Sequence, residues 1–509
     1  MLSIVTSASI FGLESVPIDV EVDVASFGLP SFTIVGLPDK AVEESKERVR
    51  SAIKNSGAEF PPRRITVNLA PADIHKEGPA FDLAIAIGLL GASGQAPQKF
   101  EGKLFLGELS LDGSLRAVSG ILSYALMAKE QKIKEIFIPR ENVLEAAVVS
   151  GITIYPVETL ASLVKHLLEV DLIRPSATIN PSEIFKNDEE YEFDMAEIAG
   201  QEHAKRALEI AAAGSHNILL KGPPGSGKTL LSRTLPSILP QLTLDESLEV
   251  TKIYSVSGLM KQGESLATIR PFRSPHHSAS LVGLIGGGQR PKPGEISLSH
   301  RGVLFLDEVP EFPRSVLESL RQPMEDGIVM VSRASSSMQF PAKFMLVAAQ
   351  NPCPCGYLGD PTHECRCSIS EISRYQKRLS GPLLDRIDLH IEVPAVKMVQ
   401  LVADTGGREN SKSIRERVGK ARDIQTRRFK GLKILTNAEM GTKDIKKFAN
   451  LDEEAFKLLK TAIVQMKLSA RGYTKVIKVA RTIADLAASV KVSSPHIAEA
   501  LSYRFREDN

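Results

Sequence analysis

The stretch NILLKGPPGSGKTLLSRTL, residues 217–235, is the most informative about the structure of the central part of this 509-residue chain. An apolar run at 218–220 precedes a loop of glycines and prolines, and a leucine-rich run follows the loop. The loop fits the pattern G-x-x-x-x-G-K-[ST] at every fixed position. This order of strand, glycine-rich loop and helix predicts a phosphate-binding loop in a parallel α/β sheet.

The residue types of this loop suit a chain of phosphates. Gly225 and Gly227 let backbone N–H groups turn inward around phosphate oxygens. Lys228 would bridge the β- and γ-phosphates, and Thr229 would hold Mg²⁺. A chance glycine-rich turn is the alternative, which the flanking pattern disfavours. The predicted nucleotide-binding residues are Gly222, Pro223, Pro224, Gly225, Ser226, Gly227, Lys228 and Thr229, together with Asp307 further along the chain.

Two further strands end in polar residues. RGVLFLDE, residues 301–308, places four apolar residues before Asp307 and Glu308. We expect Asp307 to ligate Mg²⁺ through water and Glu308 to polarise the attacking water. A solvated acidic turn is the alternative for these two acids. The strand in FMLVAAQN ends at Asn351, at the edge where open α/β sheets bind ligands.

All four cysteines fall within NPCPCGYLGDPTHECRC, residues 351–367. Disulfides are disfavoured in a cytosolic chain, and His363 is the only local base for a nucleophilic thiol. The spacing C-x-C-x₉-C-x-C offers four soft ligands, which suits a structural, tetrahedral Zn²⁺. Reduced free thiols and a redox or iron–sulfur role are the alternatives. The predicted zinc ligands are Cys353, Cys355, Cys365 and Cys367.

Composition bounds the possible classes of protein. An apolar content of 43% with 24% charged residues is typical of a globular protein, and 509 residues predict two to four domains. The net charge of +2 means that any nucleic-acid binding must come from local patches. Trp is absent, which disfavours an extensive base-stacking surface. The first residues lack the pattern of a signal peptide, and no apolar run is long enough to cross a bilayer, so we expect a cytoplasmic location.

Patterning predicts four regions. Residues 1–172 alternate strand-like and helical runs, with strands expected in VPIDVEVDV, SFTIVGL and RRITVNLA, which indicates an α+β or α/β domain. Residues 173–194 are rich in Pro, Ser, Asn and acidic residues and are predicted to form a linker. Residues 195–395 are predicted to form a core with a parallel sheet, and residues 396–509 a helical domain.

Several strings carry a family resemblance. GPPGSGKT, FLDE, AAQN, GPLLDRID and VARTIADL occur in that order and resemble an AAA+ ATPase of the magnesium-chelatase-like branch. The longer strings FRSPHHSAS, PGEISLSHRGVLFLDE, AAQNPCPCG and SARGYTKVIKVARTIADL are similar to the ComM/YifB family. The resemblance covers essentially the whole chain and implies an ATP-hydrolysing module with a C-terminal lid.

The resemblance also implies roles for individual residues. Asn351 would be sensor 1, which orients the hydrolytic water. Arg386 would be the arginine finger that reaches the γ-phosphate of a neighbouring subunit, and Arg481 would be sensor 2 of the lid. Arg378 and Arg471 are the rivals for these two roles, and a surface ion pair is the alternative for each arginine. A finger supplied to a neighbour requires an oligomer, and relatives of this type form hexameric rings.

The first 172 residues resemble the Lon protease domain (a ribosomal-S5-domain-2-like fold) and the similar accessory domain of RadA-type proteins. The resemblance lies in residues 67–90 and 104–142. Where that family has its nucleophilic Ser this chain has Ala80, and where it has its catalytic Lys this chain has Leu122. Without a nucleophile and its base there is no acyl-transfer chemistry. We therefore expect a catalytically dead domain used for binding or ring assembly.

Three segments are candidates for contact with DNA or with a neighbouring subunit. Residues 270–300 hold three consecutive glycines and a basic tip with Arg290 and Lys292, and residues 327–343 alternate as a hairpin with Arg333 near its tip. Both segments are predicted to be pore loops or subunit-contact hairpins. The basic helix predicted at 413–430 could present Arg417, Arg422 or Arg427 to a phosphate backbone, or it could be a solvated face.

The resemblance implies a ring-forming motor that acts on single-stranded or branched DNA, as a branch-migration helicase or translocase in natural transformation. The first alternative is a chelatase-type ATPase that remodels a protein partner. The N-terminal domain disfavours this chelatase-type alternative, because we expect magnesium-chelatase ATPase subunits to resemble only the latter two-thirds of the chain. The second alternative is a binding scaffold with an ATP-driven switch.

Overall fold

A computed structural model gives the fold of the chain. It describes residues 1–98, 100–185, 191–261, 263–288, 291–332, 337–360, 363–395 and 408–504. The chain divides into two compact units, the first formed by Met1–Asp188 with Thr243–Thr268 and the second by Glu189–Leu242 with Ile269–Asn509. Among the described residues, no helix is both long and apolar enough to span a membrane.

The strands of the first unit are β1 Leu2–Phe11, β2 Glu14–Val24, β3 Ser31–Val35, β4 Arg64–Ala70, β5 Lys103–Phe105, β6 Glu108–Leu109, β7 Leu115–Arg116, β8 Glu135–Pro139 and β9 Thr153–Val157. Seven of them form a mixed sheet in the order β3-β4-β2-β1-β5-β8-β9. Neighbours β1 and β2, and β2 and β4, run antiparallel, and the other neighbours run parallel. The three strands expected from alternation are therefore present.

One helix of the first unit, Asp82–Ala92, lies in the middle of the core. Every one of its residues is buried, as expected for a helix that is apolar on all sides. The α-helices of this unit are Lys40–Asn55, Asp82–Ala92, Ile121–Glu130, Val143–Ala146, Leu160–Leu167, Pro181–Ile184 and Leu244–Ser257, and the 3₁₀ helices are Pro79–Phe81 and Arg140–Asn142.

Two segments are placed differently from the simplest expectation. Within the predicted linker, Ser176 N–H donates to Ile154 O at 2.8 Å and Ile179 N–H to Ala147 O at 2.9 Å, so this part is fixed to the first unit. The helix Leu244–Ser257, which the sequence suggested as part of the core, belongs to the first unit. There Gly120 N–H donates to Ser255 O at 3.0 Å. The four-part division of the chain remains a prediction.

The strands of the second unit are β10 Ile218–Lys221, β11 Phe272–Arg273, β12 Gly286–Gly287, β13 Lys292–Pro293, β14 Val303–Leu306, β15 Ile328–Ser332, β16 Ser337–Pro341, β17 Met345–Gln350 and β18 Leu389–Glu392. Five of them form a sheet in the order β11-β14-β17-β10-β18, with every neighbouring pair parallel. Two antiparallel pairs, β12 with β13 and β15 with β16, lie outside this sheet. The parallel sheet and the hairpin at 327–343 are thus confirmed.

Helices complete the second unit and dominate it after β18. The α-helices are Glu202–Gly214, Lys228–Arg233, Leu235–Ile238, Leu281–Ile285, Glu295–Leu298, Arg314–Ser319, Arg321–Asp326, Ile369–Gln376, Gly381–Leu384, Ser411–Arg428, Thr442–Phe448, Glu453–Gln465, Ala470–Leu486 and Ser494–Ser502, and the 3₁₀ helices are Met195–Glu197, Val309–Glu311 and Asn437–Glu439. Apolar residues of the last helices share one core cluster with the parallel strands. The predicted fold class, a multidomain α/β chain with a helical C-terminal part, is confirmed.

We predict that the stability of the first unit depends on one buried ion pair. Asp82 is fully buried and accepts hydrogen bonds from Arg48 Nε at 2.6 Å and from Leu109 N–H at 3.2 Å. Asp82→Ala should cost about 3–5 kcal/mol, because it removes the fully buried carboxylate and leaves the half-buried guanidinium of Arg48 without its counter-charge. The loss should appear as a lower midpoint of urea-induced unfolding.

Glu158→Ala provides the matched control. Glu158 also pairs with an arginine, Arg140, but their side chains are 59% and 73% exposed. An exposed pair contributes at most about 1 kcal/mol. Equal shifts for the two variants would show that the burial of Asp82 does not matter in this way.

Candidate functional site at the carboxyl ends of the parallel strands

The parallel register of the second unit brings three predicted site segments to one edge of the sheet. Lys221, the last residue of β10, is level with Gln350, the last residue of β17. Leu306, at the end of β14, is level with Ala348 of β17. The phosphate loop, the acidic pair and Asn351 therefore follow three adjacent strands at the same edge, where open parallel sheets bind their ligands.

The phosphate loop has the backbone that its glycines predict. Gly225 and Gly227 have φ values of +74° and +87°, a conformation that side chains disfavour. A Cβ atom on Gly222 would lie 2.1 Å from Val393 O, so the loop begins in close contact with backbone. The helix Lys228–Arg233 starts directly after Gly227.

Lys228 is the central cation of the site. Its Nζ donates to Gly222 O and Pro223 O, both at 2.8 Å, and to Asn351 Oδ1 at 3.2 Å. Burial lowers the pKa of Lys228, while Asp307 and Glu308 oppose that shift. A largely buried ammonium held by three neutral oxygens favours an anion such as a phosphate beside it.

The acidic pair lies against the phosphate loop. Thr229 Oγ1 donates to Asp307 Oδ2 at 2.8 Å, so a hydroxyl and a carboxylate, both ligands that Mg²⁺ prefers, are adjacent. Glu308 N–H donates to Asp307 Oδ1 at 2.9 Å. Glu308 has φ of +49° and ψ of +45°, a left-handed conformation that costs a residue of this type about 1–3 kcal/mol. Such strain is typical of sites where a side chain must point in a required direction.

Asn351 is held from two sides. Its side chain accepts the hydrogen bond from Lys228, and its backbone lies beside the hydroxyl of Tyr375. Burial raises the pKa of Tyr375 to about 12, so this hydroxyl stays neutral. The structure thus brings together five of the predicted site residues: Lys228, Thr229, Asp307, Glu308 and Asn351.

Two of the candidate arginines converge on one carboxylate, which the sequence analysis did not single out. Glu325 Oε1 lies 2.6 Å from Arg386 Nη2 and 3.2 Å from Arg471 Nη2. Arg386 is almost buried and also donates to Pro382 O at 2.7 Å, whereas the side chain of Arg471 is 56% exposed. The rival of Arg386, Arg378, pairs with Glu311 at 2.7 Å.

Arg481, the predicted sensor 2, lies inside the helical part of the second unit. It is 1% exposed, and it lies 3.0 Å from Asp485 and donates to Val490 O at 2.8 Å. Asp485 also binds Arg428, so the two arginines share one buried carboxylate. Arg481 thus contacts Asp485 and Val490 rather than the strand-end residues, whereas the exposed Arg471 pairs with Glu325, the partner of Arg386.

The four cysteines come together as the spacing predicts. Their sulfur atoms all lie within 4.8 Å of one another, and none is in a disulfide. The Sγ–Sγ distances are 3.4 Å for Cys353 and Cys355, 3.7 Å for Cys353 and Cys365, and 3.6 Å for Cys355 and Cys365. A tetrahedral zinc with Zn–S bonds of about 2.3 Å requires sulfur atoms about 3.8 Å apart. The donor set and its spacing therefore fit zinc.

The candidate DNA contacts have mixed outcomes. Arg417 pairs with Glu209 at 2.6 Å and Arg422 donates to Ala212 O at 2.9 Å, so both tie their helix to the helix Glu202–Gly214. Arg427 and Lys292 are exposed. Arg290 and Arg333 lie outside the described residues. In the first unit, Ala80 and Leu122, at the positions of the protease nucleophile and base, are both buried apolar residues.

Comparison with known proteins gives matches in both units. Residues 194–401 match the family model described as "Magnesium chelatase, subunit ChlI", and residues 408–504 match the model of its C-terminal part. Residues 20–142 match a model described as "Subunit ChlI of Mg-chelatase". Our expectation that chelatase subunits resemble only the latter two-thirds of the chain is therefore wrong, and the N-terminal region does not by itself exclude the chelatase alternative.

Relatives match nearly end to end. The competence protein ComM of Haemophilus influenzae is 46% identical over 99% of this chain and 97% of its own length. The uncharacterized protein YifB of Escherichia coli is 42% identical over 99% of this chain and 97% of its own. The magnesium-chelatase 67 kDa subunit of Chlorobaculum parvum is 29% identical, but over 31% of this chain and 23% of its own length. By this coverage and by its parallel-sheet core, the chain belongs to the ComM/YifB family of magnesium-chelatase-like AAA+ proteins.

Proposed function

We propose that this protein is an ATP-hydrolysing, ring-forming motor that acts on DNA, with branch migration of recombination intermediates during natural transformation as its task. The observation that carries the ATPase part is the convergence of Lys228, Thr229, Asp307, Glu308 and Asn351 at one edge of the sheet. The family match supports the same chemistry. The motor would work in the cytoplasm.

The side chains divide the chemistry of hydrolysis. Lys228 would exchange its carbonyl partners for β- and γ-phosphate oxygens, and Asn351 would orient the water for in-line attack. Glu308 would take the proton of that water as it attacks the γ-phosphorus and ADP leaves. Thr229 and Asp307 would hold Mg²⁺, which supplies charge neutralisation on the phosphates when bound.

The DNA part of the proposal rests on different observations. A relative that matches over nearly the full chain is named a competence protein. The hairpins β12–β13 and β15–β16 are separate from the parallel sheet, and Lys292 is exposed on the first of them. An exposed cation on a hairpin suits contact with a phosphate backbone.

A chelatase-type motor that remodels a protein partner is the second candidate. The match of both units to chelatase family models favours it. The two candidates share the ATP site and differ in what stimulates it, so stimulation by DNA separates them.

We also propose arginine roles and a metal. Arg386 would act as the finger toward a neighbouring subunit in a hexamer. Arg471, which shares Glu325 with Arg386, would be the lid arginine that reads the γ-phosphate, whereas Arg481 holds the lid together. Cys353 and the three other cysteines would bind one structural Zn²⁺, as their sulfur spacing supports.

We predict that Glu308→Gln retains ATP binding but loses hydrolysis by at least about a hundredfold, because the general base is gone. Lys228→Ala should lose ATP binding itself. Glu318→Gln is the control, since this partly exposed acid on a neighbouring helix pairs with Arg321.

Wild-type turnover should rise with a four-way DNA junction, and the junction should be separated into two duplex products in an ATP-dependent branch-migration assay. An ATP turnover that no form of DNA changes would contradict the proposal that the protein is a motor acting on DNA.

We predict that Arg386 acts between subunits. Arg386→Ala should lower turnover by about a thousandfold, the usual effect of losing an arginine finger. Mixing inactive Arg386→Ala subunits with inactive Lys228→Ala subunits should restore turnover, because some interfaces then pair an intact loop with an intact finger. A mixture no more active than its components would show that Arg386 acts within its own subunit or only in folding.

We predict opposite effects for the two lid arginines. Arg481→Ala should destabilise the fold by about 3 kcal/mol, because Asp485 loses one of its buried partners. Arg471→Ala should leave thermal unfolding unchanged and lower ATP turnover at least about tenfold. Unaltered unfolding with lost turnover in Arg481→Ala would instead restore Arg481 as sensor 2.

A further inference from the structure

The cysteine cluster is in direct contact with the phosphate loop. Gly356 follows Cys355 and has φ of +86°. A Cβ atom placed on Gly356 would lie 2.6 Å from both Cγ and Cδ of Pro224, and 3.9 Å from Cγ of Asn351. The backbone beside a cluster sulfur therefore rests on the ring of a phosphate-loop proline, without room for a methyl group between them.

The two ends of the cysteine segment both return to Asn351. At the first end, Cys353 lies two residues after Asn351 and is fully buried. At the other end, Ser368 caps the helix Ile369–Gln376 directly after Cys367. That helix ends at Gln376, whose Nε2 donates to the carbonyl of Pro352, the residue after Asn351, at 3.4 Å, and its Tyr375 lies beside the backbone of Asn351. A single metal on the four sulfurs would thus fix both supports of the side chain that binds Lys228.

Packing between these ends supports the same connection. Gly356 N–H donates to Cys353 O at 3.0 Å, which closes a tight turn around the first two sulfurs. Cys355 N–H points at the sulfur of Cys367 at 3.4 Å. The segment has little apolar surface of its own to bury, since Cys353 is the one buried cysteine and the other three are partly exposed. A metal is the interaction that would hold it in place.

We propose that a Zn²⁺ held by Cys353, Cys355, Cys365 and Cys367 positions the nucleotide site, by pressing Gly356 against Pro224 and fixing Asn351 beside Lys228. Binding of the metal and turnover of ATP are then linked. The cysteines act as positioning residues, because their effect would reach the nucleotide through Gly356, Pro224 and Asn351. This inference rests on the proposed ATPase function and adds a metal-dependent control to it.

The test uses two glycines of the same segment. Gly356 and Gly359 have nearly equal φ values, +86° and +79°, so alanine strains the backbone equally at both. The Cβ on Gly359 would meet no atom within 4 Å, whereas the Cβ on Gly356 would meet Pro224. Gly356→Ala in the full-length protein should keep one zinc per chain and weaken binding of a fluorescent ATP analogue. It should also slow ATP hydrolysis by about tenfold to a hundredfold, because small misplacements have effects of that size.

Gly359→Ala should match the wild type in zinc content, nucleotide binding and hydrolysis. Pro224→Ala added to Gly356→Ala should recover part of the lost nucleotide binding, because it removes the ring that the new methyl group meets. Cys367→Ser should lose zinc and hydrolysis together, with added Zn²⁺ unable to restore either.

The outcomes separate this inference from the proposed function. If elemental analysis finds no zinc in wild-type protein purified under reducing conditions, the proposed metal site is overturned. Equal nucleotide binding and hydrolysis in Gly356→Ala and Gly359→Ala overturn the coupling. Wild-type protein that binds zinc and nucleotide but does not hydrolyse ATP overturns the proposed function, while the effect of Gly356→Ala on nucleotide binding still tests the coupling.

Discussion

The ammonium of Lys228 is the interaction on which the site depends. Among the described residues its hydrogen bonds go to two carbonyls and one amide oxygen, and burial lowers its pKa even though Asp307 and Glu308 oppose that shift, so this cation is less stable than one in direct contact with an anion. Lys228 stays in this position because β10 is hydrogen-bonded to β17 in parallel register, which fixes the backbone of β10 and of the loop after it. A phosphate would supply the missing charge. The ends of these strands therefore fix Lys228 in a position where it can bind an anionic ligand.

Much of this arrangement follows from local sequence. The motif 222–229 and the apolar runs before Asp307 and Asn351 determine three strands, and parallel strands place their carboxyl ends at one edge without further information. The contact between Thr229 and Asp307 is thus predictable from the two motifs, although 78 positions separate them. Strands, helices and the four-sulfur cluster were predictable for the same reason, since each depends on spacing alone.

Contacts that depend on which face of a helix is buried were not predictable in this way. Arg471 and Arg481 lie on one helix, Ala470–Leu486, and periodicity alone does not say which guanidinium points inward. A signal existed, because Arg481 and Asp485 are four residues apart among apolar neighbours, and a charge in that setting needs an internal partner. Glu325 carried no such signal, since its role requires Arg386 and Arg471 to approach it from distant parts of the chain.

The cysteines show how a correct local prediction can miss its consequence. The spacing of the cysteines predicted the four ligands. The role of the cluster at the nucleotide site, however, depends on Gly356, which has no side chain and therefore packs directly against Pro224. A structural metal stabilises most where a segment has too few apolar contacts to hold itself. Here that segment starts at Asn351, and the helix after it donates a hydrogen bond from Gln376 to the next residue, Pro352, so any stiffness gained is transmitted to the partner of Lys228. The cluster is thus placed where ordering a loop also orders the phosphate-binding edge of the sheet.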